Sequence, residues 1–248
     1  SRAKQMEATQ RQMIREKMRG NLLRGMGHDI RTPLTGIIGA TDVLLKQDET
    51  LTPQQRRELL QSINEEAKWL MRVSENLLSI TRIDGENAGV KKTPELVEEI
   101  IEGAVSKFLR HYQGIAVQVH LPEEPMLVPM DPLLMQQVLF NLMENAARHG
   151  ETVKQIEIFL YQEEDKAILE VADDGVGIAH SRLEHLFDGT LHPEEGREDA
   201  RRDMGIGLSV CRTIVVAHGG SITASNQKNG GALFRIALPM EKEETHEN

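Results

Sequence analysis

Apolar residues repeat every seven positions in the first part of the chain. One series marks the first position of each heptad, and a second follows it by three positions: Leu23, Ile30, Ile37 and Leu44, with Met26, Pro33 and Ala40. A heptad repeat of this kind is typical of a helix that packs along one apolar side, with the two series at positions a and d. The pattern predicts a helix over about residues 10–46.

A second helical pattern follows a short polar segment. Thr52 supplies a cap and Pro53 a first-turn proline, so the helix is predicted to run from there to about Asp84. Its apolar side is predicted from a spacing of three and four: Leu60, Ile63, Ala67, Leu70, Leu77 and Thr81. Because two helices cannot enclose a core, two copies of this hairpin are expected to form a four-helix bundle, and hence a homodimer.

The heptads stop near Gly85, and helices then alternate with short β-type runs. We therefore predict two domains, a helical hairpin over residues 1–88 and an α+β domain over 89–248. The second domain is predicted to contain three helices, over 93–112, 131–150 and 205–218, and five strands, over 115–121, 154–161, 166–173, 221–226 and 232–238. Residues 184–204 show almost no apolar periodicity, which favours a lid.

Composition excludes several classes of function. The formal net charge is −10 and the acidic residues are scattered, so direct nucleic-acid binding is not expected. No run approaches the roughly 18 apolar residues of a membrane span. A lone cysteine, Cys211, fits a reducing compartment such as the cytoplasm. The chain opens at Ser1 inside a helical pattern, so we interpret it as a fragment of a longer protein.

His28 is the first candidate for chemistry. In the heptad it falls at position f, which faces solvent, and a neutral imidazole there has a nitrogen free to attack phosphorus. Asp29 is placed to take the proton from the other nitrogen, and Thr32 lies one turn on, where its hydroxyl could orient a water for the reverse reaction. Pro33 should bend the helix. For an isolated histidine, an ordinary solvated side chain remains the alternative.

A second set of candidates lies in the α+β domain. Asn141, Asn145 and Arg148 share one side of a predicted helix, where amide oxygens suit Mg²⁺ and the guanidinium suits phosphate. Asp173 ends a predicted strand and can accept from an exocyclic amine such as that of adenine. Glycines that allow a close backbone approach or open a helix complete the set: Gly175, Gly177, Gly205 and Gly207. Taken singly, each pattern also fits a solvated helix face or a common turn.

Order and spacing connect these candidates. The run from His28 to Leu34 resembles the H-box of sensor histidine kinases, and the hairpin resembles their dimerisation and phosphotransfer domain. Asn-xxx-Asn, Asp-x-Gly-x-Gly and Gly-x-Gly-Leu, the last ending at Leu208, resemble the N, G1 and G2 boxes of the ATP-binding fold shared by histidine kinases, gyrase B, Hsp90 and MutL. Phe187 and Asp188 stand where an F-box is common. The expected fold is therefore α+β, a dimeric four-helix bundle followed by an α/β sandwich.

The resemblance implies a role for each residue. Asn145 becomes the Mg²⁺ ligand, with Asn141 and Arg148 beside the phosphates, Asp173 the adenine contact, and the four glycines the points of backbone approach. His149 replaces a common aromatic residue of the nucleotide site, and Ser209 replaces a common third glycine. The segments Asn21 to Arg24 and Cys211 to Val215 also resemble the potassium-responsive KdpD branch.

The implied activity is ATP-dependent autophosphorylation of His28, followed by transfer to an Asp of a response-regulator receiver domain, with phosphatase activity toward that regulator. The full-length protein is expected to be membrane-anchored, with this part in the cytoplasm. An ATP hydrolase of the gyrase or Hsp90 type and a degenerate dimeric scaffold are the alternatives. Hydrolases of that type carry a glutamate four residues before the metal-binding asparagine, and Asn141 stands there instead.

Overall fold

The computed structural model describes residues 30–46, 50–83, 90–150, 152–187 and 198–240. The chain divides into two compact units, and the division falls between Leu78 and Ser79. No helix among these residues is long and apolar enough to cross a lipid bilayer.

The described part of the first unit consists of two helices, α1 over residues 30–46 and α2 over Pro53–Ile83, and the last five residues of α2 continue past the division. Thr52 and Gln55 form a reciprocal capping box at the start of α2. The Gln55 N–H donates to the Thr52 hydroxyl at 3.2 Å, and the Gln55 side-chain oxygen accepts from the Thr52 N–H at 2.9 Å. With Pro53 in the first turn, the predicted start of this helix is confirmed.

The apolar residues of the first unit separate into buried and exposed sets. The d positions Pro33 and Ala40 are buried, and the buried stripe of α2 consists of Trp69, Val73 and Asn76. Other large apolar side chains face outward: Leu34, Ile38, Leu45, Leu60, Met71 and Leu78. A pair of helices therefore buries only part of its apolar surface within one chain.

The second unit is built on a five-stranded sheet. Its strands are β2 Ala116–His120, β4 Gln155–Glu163, β5 Lys166–Asp173, β6 Ser221–Asn226 and β7 Ala232–Pro239. Their order is β2-β4-β5-β7-β6, with β2 parallel to β4 and every other pair antiparallel. Alternate residues of β4 are buried, as expected for a sheet covered by helices on one face. All five strands were predicted within a few residues of their ends.

The described residues of this unit also form four helices: α3 Val97–His111, α4 Pro132–His149, α5 His180–Leu183 and α6 Glu198–Ala217. Asp131 caps α4, since its Oδ1 accepts from the N–H groups of Leu133 and Leu134, both at 3.0 Å. The prediction of a helix from Asp131 to Gly150 is confirmed.

The predicted start of α3 at Thr93 was wrong. Residues Thr93–Leu96 form a strand, β1, that pairs antiparallel with β3, Leu127–Met130. Pro94 holds the preceding residue in an extended conformation, and the Val97 N–H donates to the Met126 carbonyl at 3.0 Å, so the helix begins only there. Strand β3 was not predicted, because it is four residues long and contains Pro129.

The predicted start of α6 at Gly205 was also wrong. The helix begins at Glu198, so Gly205 and Gly207 lie inside it and do not open it. The predicted lid therefore includes helical residues at 198–204, and its residues 188–197 lie outside the described part.

Candidate functional site

Asn141 lies between two helices. It is 7% exposed, and its side-chain oxygen accepts from the Gln137 amide at 2.8 Å, one turn earlier on α4. It also interacts with the thiol of Cys211 on α6, a group whose pKa burial raises to about 12 while the hydrogen bond from Asn141 opposes that rise. The side chain predicted to stand beside the phosphates thus also joins α4 to α6.

The other predicted residues of α4 are more accessible. Asn145 lies one turn after Asn141 and is half-buried, as is His149, whereas Arg148 is exposed. Glu144, which the sequence did not single out, accepts a hydrogen bond from the Tyr112 hydroxyl at 2.7 Å. That bond joins the residue before Asn145 to the end of α3. The arrangement brings an amide and a cation to the last turns of one helix.

Asp173 is the most deeply held of the predicted site residues. It is 5% exposed at the end of β5. Its Oδ1 accepts from the Gly175 N–H at 2.9 Å and from the Ala232 N–H at 3.2 Å. Burial raises the pKa of this carboxyl above its usual range, and those two hydrogen bonds oppose the rise. Among the described residues both bonds go to Oδ1, so Oδ2 keeps its capacity to accept from a ligand.

The glycines after Asp173 stand where a side chain does not fit. A Cβ on Gly175 would lie 2.6 Å from the Gly150 carbonyl oxygen, at the end of α4. The Val176 N–H donates to that same oxygen at 3.3 Å. Gly177 has a φ of +77°, which favours glycine. The structure therefore brings the end of α4 against the loop that follows β5, so two of the predicted boxes meet.

The turn between β6 and β7 also contacts this loop, through side chains that sequence reasoning did not single out. The Asn226 side-chain oxygen accepts from the Ile178 N–H, and its amide donates to the Ile178 carbonyl, both at 2.7 Å. The Gln227 amide donates to the Asp173 carbonyl at 2.8 Å. The Asn-Gly-Gly turn was visible in the sequence, but nothing local indicated that its side chains reach residues about 50 positions away.

Two predicted site residues of α6, Gly207 and Leu208, have different surroundings. Leu208 is buried, at 1% exposed, whereas a Cβ on Gly207 would meet no described residue within 4 Å. Phe187, from the predicted F-box, stands edge-on to Phe234 of β7, with ring centroids 6.4 Å apart, and its neighbour Asp188 lies outside the described residues.

The predicted phosphoacceptor is not among the described residues. His28 and Asp29 both precede residue 30, where the description of α1 begins. Thr32 is half-buried in the first turn of the described helix, and Pro33 beside it is buried. The description of α1 therefore starts two residues after His28, and the chemistry of His28 stays a prediction.

Two family models match this chain. The model of the histidine kinase, DNA gyrase B and HSP90-like ATPases matches residues 130–242, and the model of the His Kinase A phospho-acceptor domain matches residues 18–86. The matched segments contain the predicted nucleotide site and His28, in that family's order. This chain belongs to the histidine kinase family. The predicted family and fold class are confirmed, and the enzymes of this family are protein-histidine kinases.

Within the family the chain is similar to KdpD sensors. It is 38% identical to the sensor protein KdpD of Clostridium acetobutylicum over 96% of its own length, and 34% identical to that of Escherichia coli over 94%. The chain spans 27% and 26% of the length of these relatives. The similarity therefore covers almost all of this chain and about a quarter of each sensor protein.

A solved structure supports the fold. The histidine kinase ThkA, in complex with the response regulator protein TrrA, aligns with a TM-score of 0.70 and 24% identity. The alignment covers 96% of this chain and 66% of that one. At this identity the likeness shows that the two proteins share a fold.

Proposed function

We propose that this chain is the catalytic core of a sensor histidine kinase, which uses ATP to phosphorylate His28. The observation that carries the proposal is the buried carboxylate of Asp173, held at Oδ1 by two backbone N–H groups beside close-packed glycines. A phosphoacceptor segment precedes this site in the same chain. The two parts of the reaction, a nucleotide site and a histidine, are therefore present together.

Adenine is recognised at the end of β5. Oδ2 of Asp173 accepts from the exocyclic amine, and Gly177 lets the backbone approach the flat base. Arg148 is exposed at the end of α4 and provides a positive charge for the phosphates. Asp173 can accept from a neutral amine through Oδ2, because the backbone N–H groups of Gly175 and Ala232 both donate to Oδ1.

The residues present also fit a Mg²⁺ ion. The side-chain oxygen of Asn141 already accepts a hydrogen bond from the Gln137 amide, so Asn145 is the better Mg²⁺ ligand of the two. A single amide oxygen suits Mg²⁺, which keeps several waters and binds the phosphates of the nucleotide. When bound, the ion supplies charge neutralisation on the transferred phosphoryl group.

Phosphoryl transfer takes place at His28. One imidazole nitrogen attacks the γ-phosphorus, the bond from phosphorus to the bridging oxygen of ADP breaks, and Asp29 takes the proton that the other nitrogen releases. The phosphoryl group then passes to an Asp of a response-regulator receiver domain. Thr32 orients a water for the removal of that phosphoryl group from the regulator. Transfer depends mainly on position and charge, as in other phosphoryl transfers.

The hydrolase alternative is less well supported. A hydrolase of the gyrase type needs a base for water at position 141, and the amide of Asn141 cannot take a proton. The degenerate scaffold is disfavoured because Asp173 and its donors are all in place. We propose a homodimer formed through the outward apolar side of the hairpin, and a membrane-anchored full-length sensor that holds this part in the cytoplasm.

Phosphate labelling tests the function. Incubation with γ-labelled ATP should give acid-labile, base-stable phosphate on the protein. His28→Gln should abolish the label but keep nucleotide binding, whereas Asn145→Ala should lose both. Full labelling of His28→Gln would contradict the proposal. Steady phosphate release without labelling would indicate the hydrolase, and no ATP binding would indicate the scaffold.

A further inference from the structure

The turn between β6 and β7 is fastened to the nucleotide loop by side chains that no sequence box includes. Asn226 makes two hydrogen bonds to Ile178, one to its N–H and one to its carbonyl, each at 2.7 Å. The side-chain amide of Asn226 thus pairs with the Ile178 backbone as a neighbouring strand would. Together the two bonds fix the position and the orientation of the Ile178 backbone. Gly177, one residue before, has a φ of +77° and no side chain that could fix its position. The two bonds to Ile178 therefore hold the chain next to it.

Gln227, the next residue, makes a comparable hydrogen bond to the backbone of Asp173. Its amide donates to the Asp173 carbonyl at 2.8 Å, while the Ala232 N–H, at the other end of the same turn, donates to the Asp173 carboxylate at 3.2 Å. The turn thus holds the main chain and the side chain of the same residue. Rotation of the carboxylate is restricted from both ends.

The turn also has no room to shift along the strand. A Cβ on Gly231 would lie 1.8 Å from the Asp173 carbonyl oxygen, and one on Gly177 would lie 2.8 Å from the Asn226 side-chain oxygen. The Gln227 N–H donates to the Gly231 carbonyl at 2.9 Å, which closes the turn on itself. The two segments are therefore in close contact, with no space for a one-residue shift of the turn.

We infer that Asn226 and Gln227 are positioning residues that set nucleobase selectivity by fixing Asp173 and the peptide of Ile178. The inference rests on the proposed function, since it assigns Asp173 to the exocyclic amine of adenine. A base with that amine gains a hydrogen bond to Oδ2, and a base without it leaves the carboxylate unpaired. Such discrimination is large only when the acceptor is held in place, because a mobile acceptor can turn toward water.

The experiment compares two ligands on the 248-residue chain. ATP carries the 6-amino group, and purine riboside 5′-triphosphate has the same shape without it. The selectivity is the ratio of their dissociation constants, measured by displacement of a fluorescent nucleotide. Asn226→Ala and Gln227→Met should each reduce this ratio by roughly tenfold, chiefly through weaker ATP binding, since each removes one or two hydrogen bonds.

Two further variants separate positioning from a purely structural role. Gln227→Lys restores a donor that can reach the Asp173 carbonyl and should recover most of the selectivity that Gln227→Met loses. Gln162→Met is the matched control, because Gln162 makes the same kind of bond, from its amide to the Glu164 carbonyl at 2.9 Å, in the β4–β5 turn. Its selectivity should equal that of the wild type.

Each outcome has one interpretation. A wild-type chain that binds neither nucleotide overturns the proposed function itself. A wild-type chain that binds both equally leaves nucleotide binding intact and overturns the inference. Wild-type selectivity in Asn226→Ala and Gln227→Met also overturns it, as does an equal weakening of both ligands with a lowered unfolding temperature.

Discussion

Asp173 and Asp174 are adjacent carboxylates that the structure treats in opposite ways. Burial raises the pKa of Asp173, so its charged form is disfavoured in the folded chain. Burial also acts to raise the pKa of Asp174, but the N–H groups of Gln155 and Lys154 outweigh it and lower that pKa. The same residue type therefore has its charged form disfavoured at one position and favoured at the next.

A neutral substitution should separate these two roles. Asp173→Asn keeps an oxygen for the Gly175 and Ala232 N–H groups and removes a buried charge, so its unfolding temperature should equal or exceed that of the wild type. In this variant the side-chain NH₂ group replaces Oδ2 and faces the exocyclic amine of adenine, so two hydrogen-bond donors oppose each other. ATP affinity should therefore fall by at least roughly tenfold. Calorimetric titration and thermal unfolding measure the two effects.

Asp174→Asn is the matched control. Loss of a stabilised carboxylate should lower the unfolding temperature at neutral pH, because the charged form accepts from Lys154 at 2.9 Å and from Gln155 at 3.1 Å. Its ATP affinity should stay close to that of the wild type. A loss of stability in Asp173→Asn as large as in Asp174→Asn would contradict this assignment.

His218 is a buried histidine that the sequence did not single out. Its Nε2 accepts from the Asp131 N–H at 3.0 Å, so its proton is on Nδ1, which donates to the Ile214 carbonyl at 2.7 Å. Lys92, near the start of β1, donates to the His218 carbonyl at 2.7 Å. Burial lowers the pKa of this imidazole, and the positive charge of Lys92 lowers it further. The negative charge of Asp131 acts in the opposite direction and raises that pKa.

Stability should therefore depend on pH through His218. Because the pKa is lower in the folded chain than in the unfolded one, the unfolded chain takes up the proton first as the pH falls. The stabilisation is complete above about pH 6.5 and is lost as the pH falls through the folded pKa. His218→Gln, which cannot titrate, should show a smaller fall in unfolding temperature between pH 7 and pH 5. An equal fall in both proteins would contradict the prediction.

At the scale of elements, α6 carries two glycines in its interior. Glycine weakens a helix relative to alanine by about 1 kcal/mol, and at Gly207 a methyl group would meet no described residue within 4 Å. Packing among the described residues therefore does not require glycine there. We propose that the nucleotide requires it, because a methyl group would face the ligand.

Gly207→Ala should consequently stabilise the fold and weaken the function. The unfolding temperature should rise by about 2–4 °C, while ATP affinity and labelling of His28 fall. Gly39→Ala is the matched control, because Gly39 lies in α1 and also has nothing within 4 Å. It should add helix stability and leave ATP affinity unchanged. Unchanged ATP affinity in Gly207→Ala would remove this residue from the proposed site.

The elements also show where local pattern was sufficient. Asp131 with Pro132 predicted the start of α4 correctly, because a cap acts within one turn. Thr93 with Pro94 has the same type of sequence, yet it forms β1, because β3 offers a partner strand. A cap signal competes with strand pairing, and only the tertiary structure supplies the partner.

At the scale of the whole molecule, the first unit leaves apolar surface uncovered. Met71 is 65% exposed on α2, and Leu78, two turns later on the same side, is 61% exposed. The proposed homodimer covers this stripe, since a second hairpin provides the two helices that a bundle requires. Exposure of large apolar residues at helical spacing is otherwise unfavourable in water.

Met71→Glu should therefore dissociate the dimer. A charge without a partner in the bundle should weaken the dimer by about 100-fold or more, and light scattering coupled to size exclusion should show a monomer. The control is Ser62→Glu, which adds the same charge at an exposed position on the opposite side of the same helix. ATP binding by the second unit should persist in both. A dimeric Met71→Glu variant would place the interface elsewhere.

The sequence by itself determined the five strands of the main sheet, the two helical patterns of the hairpin and the boxes of the histidine kinase family. These depend on periodicity, caps and turns, which act over a few residues. Only the tertiary structure decided the pairing of β1 with β3, the burial of His218, and the hold of Asn226 and Gln227 on the nucleotide loop. Each of these joins residues more than 30 positions apart, and such contacts follow from how the strands and helices pack, which no local pattern contains.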